Sequence, residues 1–481
     1  MAESPAPQSA KPSQSSNAYD VALTPGRTRL VNVIAAVGVL LSIYAAFVTS
    51  GPTLWGLLPI VLYAVLCLLG MDIVIGTIIA LVSGLIIAKL PPLGIGTLMG
   101  ESLADQITMI GLIIILGAGV GEVLKLTGVA ETIVHGVMRV FGSKSKLAVI
   151  LGVMLACLIL VASLGTLAGA LAIAAPILLP ITARLGFTRS ATASMMFIGG
   201  CAGLAMAPFA GSNVAIMDAA DVSYLQFVLF GAGPLMILSL VLGLVIVPWM
   251  QRRTARQGDF YTEDEIGTES AAPPKGAGRT TAVFLGLLII TVVYATIAAA
   301  DTTFPLLALP ILGIVTGLAG GMSTRNIANA MYRGAASLVS IFLLFWLLAA
   351  LFQVIDKLAP FEVILELVGD NLASGSPFLF TIVISLLGWV GIPGATAAQV
   401  ILLDKVFGDL AGTIGISAGS WIVVLLFASK ADTYGPFPNG NMIGVMGLAR
   451  SSNLKNMLIT GWLLLVPACV MYLIILFFET R

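Results

Sequence analysis

Two short segments hold most of the polar chemistry buried in this otherwise apolar chain: Ala207-Pro208-Phe209-Ala210-Gly211-Ser212-Asn213 and Gly435-Pro436-Phe437-Pro438-Asn439-Gly440-Asn441. Each interrupts a helix-length apolar stretch. Their hydroxyls and carboxamides ligate and hydrogen-bond, but offer neither an activated nucleophile nor a general base. Breaking a helix in lipid exposes backbone groups that cost several kcal/mol each unless they are satisfied, so such breaks persist where they line a cavity or are buried in protein. Two small-residue turns have the same character, Ser163-Leu164-Gly165-Thr166 and Gly391-Ile392-Pro393-Gly394-Ala395-Thr396.

At each break, centred on Pro208 and Pro436, a second half-helix restarts with its amides pointing back. Ser212, Asn213, Asn439 and Asn441 are side chains suited to cap it, and Thr166 and Thr396 offer the same feature at the turns. Four helix starts converging near the bilayer midplane, each carrying about half a positive charge, bind a carboxylate without arginine. The carbonyls left behind by the first half-helices suit a sodium ion. Lys430 and Asp432 precede the second break, where the first has Ala202 and Leu204. Ionisable residues at membrane depth are functional candidates by default. Asp432 is a candidate proton or cation ligand and Lys430 its neutraliser or an anion contact; a structural pair beside an aqueous vestibule is the alternative.

The elements that position these residues follow from composition. With 59% hydrophobic and 10% charged residues the chain is a polytopic membrane protein. A formal net charge of zero and the lack of any basic run with interleaved aromatics exclude nucleic acid as a partner. Cys67, Cys157, Cys201 and Cys469 lie singly in apolar stretches and read as core fillers. A lone histidine, His135, beside Arg139 on a short amphipathic segment, is too little for a metal or haem site, so no cofactor is expected beyond a coupling sodium ion or proton. There is no HExxH helix, and an enzyme is not expected.

Apolar stretches long enough to span a bilayer fall near 31–49, 54–70, 72–90, 105–124, 190–217, 227–249, 280–300, 304–321, 336–356, 415–445 and 456–478. The segments 145–185 and 376–410 read as two helical hairpins, each entering and leaving on one side. Residues 1–30, rich in Ser, Pro, Ala and Gln, read as a disordered cytoplasmic tail, and 31–53 as an extra transmembrane helix. A first repeat over 54–249, a cytoplasmic linker over 250–279 and a second repeat over 280–481 complete the expected organisation. Placing the N-terminus inside puts most lysine and arginine in the cytoplasm, with Lys89, Lys357, Lys405 and Arg481 outside and the C-terminus periplasmic or extracellular.

Matching the halves aligns Pro208-Phe209 with Pro436-Phe437, Asn213 with Asn441, Gly165-Thr166 with Pro393-Gly394 and, out of register, Glu131 with Glu362. By loop charge the first hairpin opens to the cytoplasm and the second to the outside, so the repeats have opposite topology, which is a transporter architecture. Glu122, aligned with Gln353, reads as solvated; Asp218 and Asp221 read as caps of a short interfacial helix; Asp404 and Lys405 read as a solvated exit.

The stretch from Gly165 to Asp221, with its counterpart around Gly435-Pro436-Phe437, resembles the citrate-metal:proton symporter pattern of the ion transporter superfamily, which includes dicarboxylate permeases and several sodium/proton antiporters. That resemblance implies an elevator mechanism, in which part of each repeat moves against a fixed, often dimeric scaffold, and hence a homodimer. It also implies that hairpin tips and broken helices bind substrate and coupling ion. Carried over, it implicates Ser163, Thr166, Ser212, Asn213, Thr396, Asn439 and Asn441, with Gly165, Gly211, Gly394 and Gly440 beside them. The chain departs from the sodium/dicarboxylate symporters in lacking paired Ser-Asn-Thr signatures: Val214 follows Asn213 and Met442 follows Asn441. The reading that results is a secondary active transporter in the inner or plasma membrane, moving a small organic anion such as a carboxylate by proton- or sodium-coupled symport. A sodium/proton antiporter with Asp432 as exchanging carboxylate is the alternative, and a passive channel fits opposed broken helices less well.

Overall fold

The computed structural model describes residues 25–141, 145–262, 274–298, 303–360, 363, 376–390, 396–435 and 439–480. These residues form helices and turns, with one isolated bridge between Thr188 and Phe260. The expectations for Pro393, Gly394, Pro436, Glu362 and most of the N-terminal tail lie outside the described residues, as does the side chain of Asp432.

The first half runs α1 (Pro25–Val48), α2 (Leu58–Leu68), α3 (Ile73–Ile87), α4 (Pro92–Glu101), α5 (Gln106–Leu126) and α6 (Val129–Phe141). The hairpin α7 (Lys146–Leu164) and α8 (Leu167–Arg184) follows, then α9 (Arg189–Met206), α10 (Gly211–Ala219), the short α11 (Tyr224–Phe227) and α12 (Gly233–Ala255). The second half runs α13 (Ala277–Ile297), α14 (Pro305–Ala319), α15 (Thr324–Ala336), α16 (Val339–Leu358), α17 (Pro377–Leu387), α18 (Thr396–Ile414), α19 (Ala418–Tyr434), α20 (Gly440–Leu448) and α21 (Leu454–Glu479). α9 gives way to α10 across Ala207–Ala210, and α19 ends at Tyr434 before α20 begins at Gly440.

The first helix starts earlier than the sequence reading places it. α1 begins at Pro25, ahead of residue 31, because a proline at the first helical position loses no hydrogen bond and has its φ already set. The stretch from Pro25 to Leu30 therefore belongs to the first helix and not to the tail.

Nine helical stretches among the described residues are long and apolar enough to cross a membrane, and both arms of the first hairpin, of 19 and 18 residues, are among them. Four expected spans are shorter, held by the apolar helices Leu54–Cys67, Ile73–Ile87, Pro305–Ala319 and Ala418–Tyr434. The 15 residues of α3 rise only about 22 Å against a hydrocarbon core of about 30 Å. Gly70, at φ +97°, and the Pro91-Pro92 pair cut the chain on either side of it.

Small residues set the closest helix contacts. Gly199 and Gly203, one turn apart on α9, lie directly on the backbone of α7 at Met154 and Leu158, the small-xxx-small packing of membrane helices. A buried polar seam joins α9 to α21: Ser194 and Thr460 hydroxyls are 2.8 Å apart, and Asn456 Nδ2 donates to Ser190 Oγ at 3.2 Å.

The segment between the expected spans 304–321 and 336–356, which holds Arg325 and Arg333, is the amphipathic helix α15. Ser323 caps it by accepting from Asn326 N at 3.3 Å, and Ile327, Ala330 and Gly334 form its buried face against α5. Arg333 reaches Glu122 of α5 at 4.0 Å, and Lys125 reaches the same carboxylate at 3.6 Å. Glu122 is therefore half-buried and paired, and not a solvated end group.

Candidate functional site

The two breaks and two hairpins meet crosswise. α10, the second half of the first broken helix, packs along α18 of the second hairpin, while α20 packs against α8 of the first hairpin and against α9. Gly165, the left-handed residue that ends α7 at φ +68°, lies beside the backbone of Phe209 and Ala210, 3.6 Å from where a Cβ on it would lie, so the first hairpin tip abuts the first break. Gly211 fits between Ile114 of α5 and Ala397 of α18, whose Cβ is 3.8 Å from where a Cβ on Gly211 would lie. A Cβ on Gly211 would displace the end of the Ile114 side chain.

The side chains expected to cap the half-helices divide differently from the expectation. Asn213 is fully buried in the first turn of α10 and points backwards. Its Nδ2 donates to the carbonyls of Leu204 at 2.9 Å, Ala205 at 3.1 Å and Ala207 at 2.8 Å. The hydroxyl of Tyr224 donates to Met206 O at 2.6 Å. Together they serve the carbonyls that the end of α9 leaves without helical partners. α10 starts from Ala210 without a side-chain cap, and α8 starts from Thr166 likewise without one. Ser212 is half-buried, its hydroxyl 3.5 Å from Asn213 Oδ1, and Ser163 donates back into its own helix at Ile159 O, 2.7 Å away.

The second break follows the expectation more closely. Asn439 caps α20, accepting from Met442 N at 2.9 Å on Oδ1, while its Nδ2 donates to Thr433 O at 3.4 Å. Thr433 occupies the position that Ala205 holds in the first break, by the offset that aligns Asn213 with Asn441. Gly440 and the half-buried Asn441 form the first turn of α20, and Thr396 opens α18 half-buried. Lys430 is 5% exposed on α19, well inside the helix bundle.

Several residues near the site carry no obvious sequence signal. Gln399 of α18 is buried and donates from Nε2 to the carbonyls of Gly388 and, at 3.4 Å, Ala428, which ties α18 to the segment after α17 and to α19. Asp404 accepts from the indole of Trp421 at 2.9 Å and is half-buried, not a solvated exit. Asp221 has φ +48° and lies outside any helix, and it is Ser223, in a reciprocal capping box with Gln226, that caps α11. Asp218 instead accepts from Gln106, and Asp105 caps α5 at Ile107 N, 2.9 Å away, while accepting from Gln353 at 3.1 Å. A cavity of about 590 Å³ lies against α15, lined by Leu126, Met322, Asn326, Asn329, Tyr332 and Arg333. It lies toward the Leu126 end of α5, whereas Ile114 of the same helix is the residue that meets the break. No group of three or more His, Cys, Asp or Glu able to hold a metal occurs among the described residues.

Comparison with known proteins points to transport. The model of the Na+/H+ antiporter family matches residues 14–249, which contain the whole first hairpin and first break. The fold is similar to the crystal structure of the Alcanivorax borkumensis YdaH transporter, described as having an unusual topology, at TM-score 0.54 and 17% identity over 79% of this chain and 87% of that one. No curated protein matches the chain.

Proposed function

We propose that this protein is a secondary active transporter that exchanges sodium ions for protons across the inner or plasma membrane, with its N-terminus cytoplasmic. The observation that carries this reading is the oxygen cage at the first break. Three backbone carbonyls, of Leu204, Ala205 and Ala207, converge on one amide nitrogen at 2.8 to 3.1 Å. An NH2 group has two hydrogens for those three acceptors. A positively polarised group therefore occupies a place whose lining asks for a cation, and rotation of the Asn213 amide would turn Oδ1 toward the same place as a fourth oxygen. The family match over residues 14–249 supports the same ion pair.

The working parts are two inverted repeats, 54–249 and 280–481, joined by a linker. Support comes from the recurrence of hairpin, broken helix and final span at one offset, and from the crosswise packing of α10 with α18 and of α20 with α8. In this reading α1–α3, α5 and α13–α16 are a scaffold, dimeric in the membrane, against which the hairpins and broken helices move as an elevator. Ser212, Asn213 and Asn441 ligate the coupling ion and Asp432 exchanges the proton.

A second reading, symport of a small organic anion such as a carboxylate, is favoured by the positive ends of α8 and α10, which lack side-chain caps, and by the buried ammonium of Lys430. Currents from proteoliposomes on a solid-supported membrane separate the two. Sodium jumps without any organic solute give a pH-dependent response under the antiport reading. A response that requires a mono-, di- or tricarboxylate would replace it with symport.

A further inference from the structure

Asp404 stands apart from both breaks, on the arm of the second hairpin. α18 starts at Thr396 and carries Asp404 two turns further on, about 12 Å along the helix. The same helix meets the first break through Ala397 and packs along α10. Asp404, seven residues past Ala397, therefore lies on the same face of α18, toward the end of the bundle where Asp105 and Asp218 are found.

Its surroundings are built around the carboxylate. Trp421, itself 5% exposed on α19, donates its indole N–H to Oδ1 at 2.9 Å. One helical turn past Asp404, Gly408 leaves a notch for the same oxygen: a Cβ there would come within 2.6 Å of it. Among the described residues the indole is its one hydrogen-bond donor. An ionised carboxylate accepts at about four lone-pair sites, so most of its capacity is left for a mobile partner. A carboxylate with an indole on one edge, bare backbone beneath and no arginine or histidine among its described contacts is not a structural ion pair.

The charged groups around it are few. Lys405 and Asp409 belong to α18 itself, and Asp218 faces it from α10. α17 and the segment Gly388–Val390 contribute no charged residue, and α19 contributes Lys430 and Asp432, both nearer the break. Lys405 is exposed, and Asp356 of α16 shares its field with Asp409. Carboxylates outnumber cations on this wall, which favours cation entry over anion entry.

The geometry points to Asp404 as a proton- and cation-binding station on the route between the Asp218 end of the bundle and the first break. Its carboxylate holds a proton or a sodium ion, one at a time: uptake of H+ gives the neutral acid and frees the sodium ion, and loss of that proton restores the anion. This assignment rests on the antiport reading above.

The test uses full-length protein in proteoliposomes, following sodium-driven proton flux from about pH 6 to 9. Wild type is compared with Asp404→Asn, Trp421→Phe and Gly408→Ala, each first shown to be monodisperse and reconstituted to equal density. Asp404→Asn is expected to lower the flux about tenfold or more. Trp421→Phe removes the one donor among the described residues that favours the ionised form, so the pH of half-maximal transport moves upward by up to about one unit. Gly408→Ala displaces the carboxylate and raises the apparent KM for sodium. Unchanged pH and sodium profiles in Asp404→Asn overturn the station while leaving antiport intact. An inactive Asp404→Asn with an unshifted Trp421→Phe profile also overturns it, because the role is then structural. Absence of sodium-driven proton flux in wild type overturns the antiport reading and the station with it.

Discussion

Asn213 Nδ2 lies 2.8 Å from the carbonyl oxygen of Ala207, across the break that separates α9 from α10. The side chain thus closes the end of the preceding half-helix and leaves the start of its own uncapped. In the second break Asn439 caps the start of α20 through Oδ1 and also reaches Thr433 O through Nδ2. The two breaks are sealed by asparagines at different positions, and the first presents carbonyls where the second presents a capped helix start. Two breaks of matching place in the sequence therefore differ in what they can ligate.

Replacing Asn213 with Ala leaves the carbonyls of Leu204, Ala205 and Ala207 without this donor in a buried site, at about 1–3 kcal/mol for each group left unsatisfied. Thermal unfolding in detergent is expected to shift to lower temperature. Sodium is expected to raise the Tm of wild type and leave that of Asn213→Ala unmoved, since only a state that binds the ion is stabilised by it. Equal sodium protection of both would remove Asn213 from the ion site.

Asn439→Ala removes the cap of α20 and is expected to cost about 0.5–2 kcal/mol, whereas Asn439→Asp and Asn439→Ser retain an acceptor for Met442 N. Thermal scans of the three variants check the order. A fall of the same size in all three would mean that Asn439 acts through Thr433 and not as a cap.

Gly203 touches the backbone of α7 at Leu158, so Gly203→Leu forces the first hairpin away from the broken helix it supports. Loss of transport, with a lowered Tm, is the expected outcome. Gly278, which has no neighbour within 4 Å of an added Cβ, tolerates Gly278→Ala with transport and Tm unchanged. Uptake assays on the pair check both halves of the statement, and full activity in Gly203→Leu would contradict the packing.

If α10 moves against α5 during transport, the contact between Gly211 and Ile114 must open and close in every cycle. Ile114→Cys with Gly211→Cys, in a chain whose four native cysteines are replaced, lies within reach of a disulfide. Oxidation is expected to stop transport and reduction to restore it. Undiminished transport by the fully cross-linked protein would exclude relative movement at this contact.

Much of this arrangement was legible in the residues. Pro208 and Gly211 mark the first break and Ser163 to Thr166 the first turn because proline, glycine and short polar residues punctuate helices through local backbone chemistry. What Asn213 bonds to was not legible, because choosing between the amides of α10 and the carbonyls of α9 depends on how closely the two half-helices approach. α15 was hidden for another reason: its buried face is only Ile327, Ala330 and Gly334, too few apolar residues to stand out beside Arg325 and Arg333. Asp404 read as solvated because its partner, Trp421, comes from the next helix and the notch under it from a glycine, neither of which marks the carboxylate itself.

The most direct measurement is radioactive sodium uptake into acid-loaded proteoliposomes, with no organic solute on either side. Antiport predicts that sodium accumulates above its external concentration while the proton gradient lasts, is released when the gradient is collapsed, and fails to accumulate in Asn213→Ala. Sodium that merely equilibrates while the proton gradient persists in wild type would contradict it.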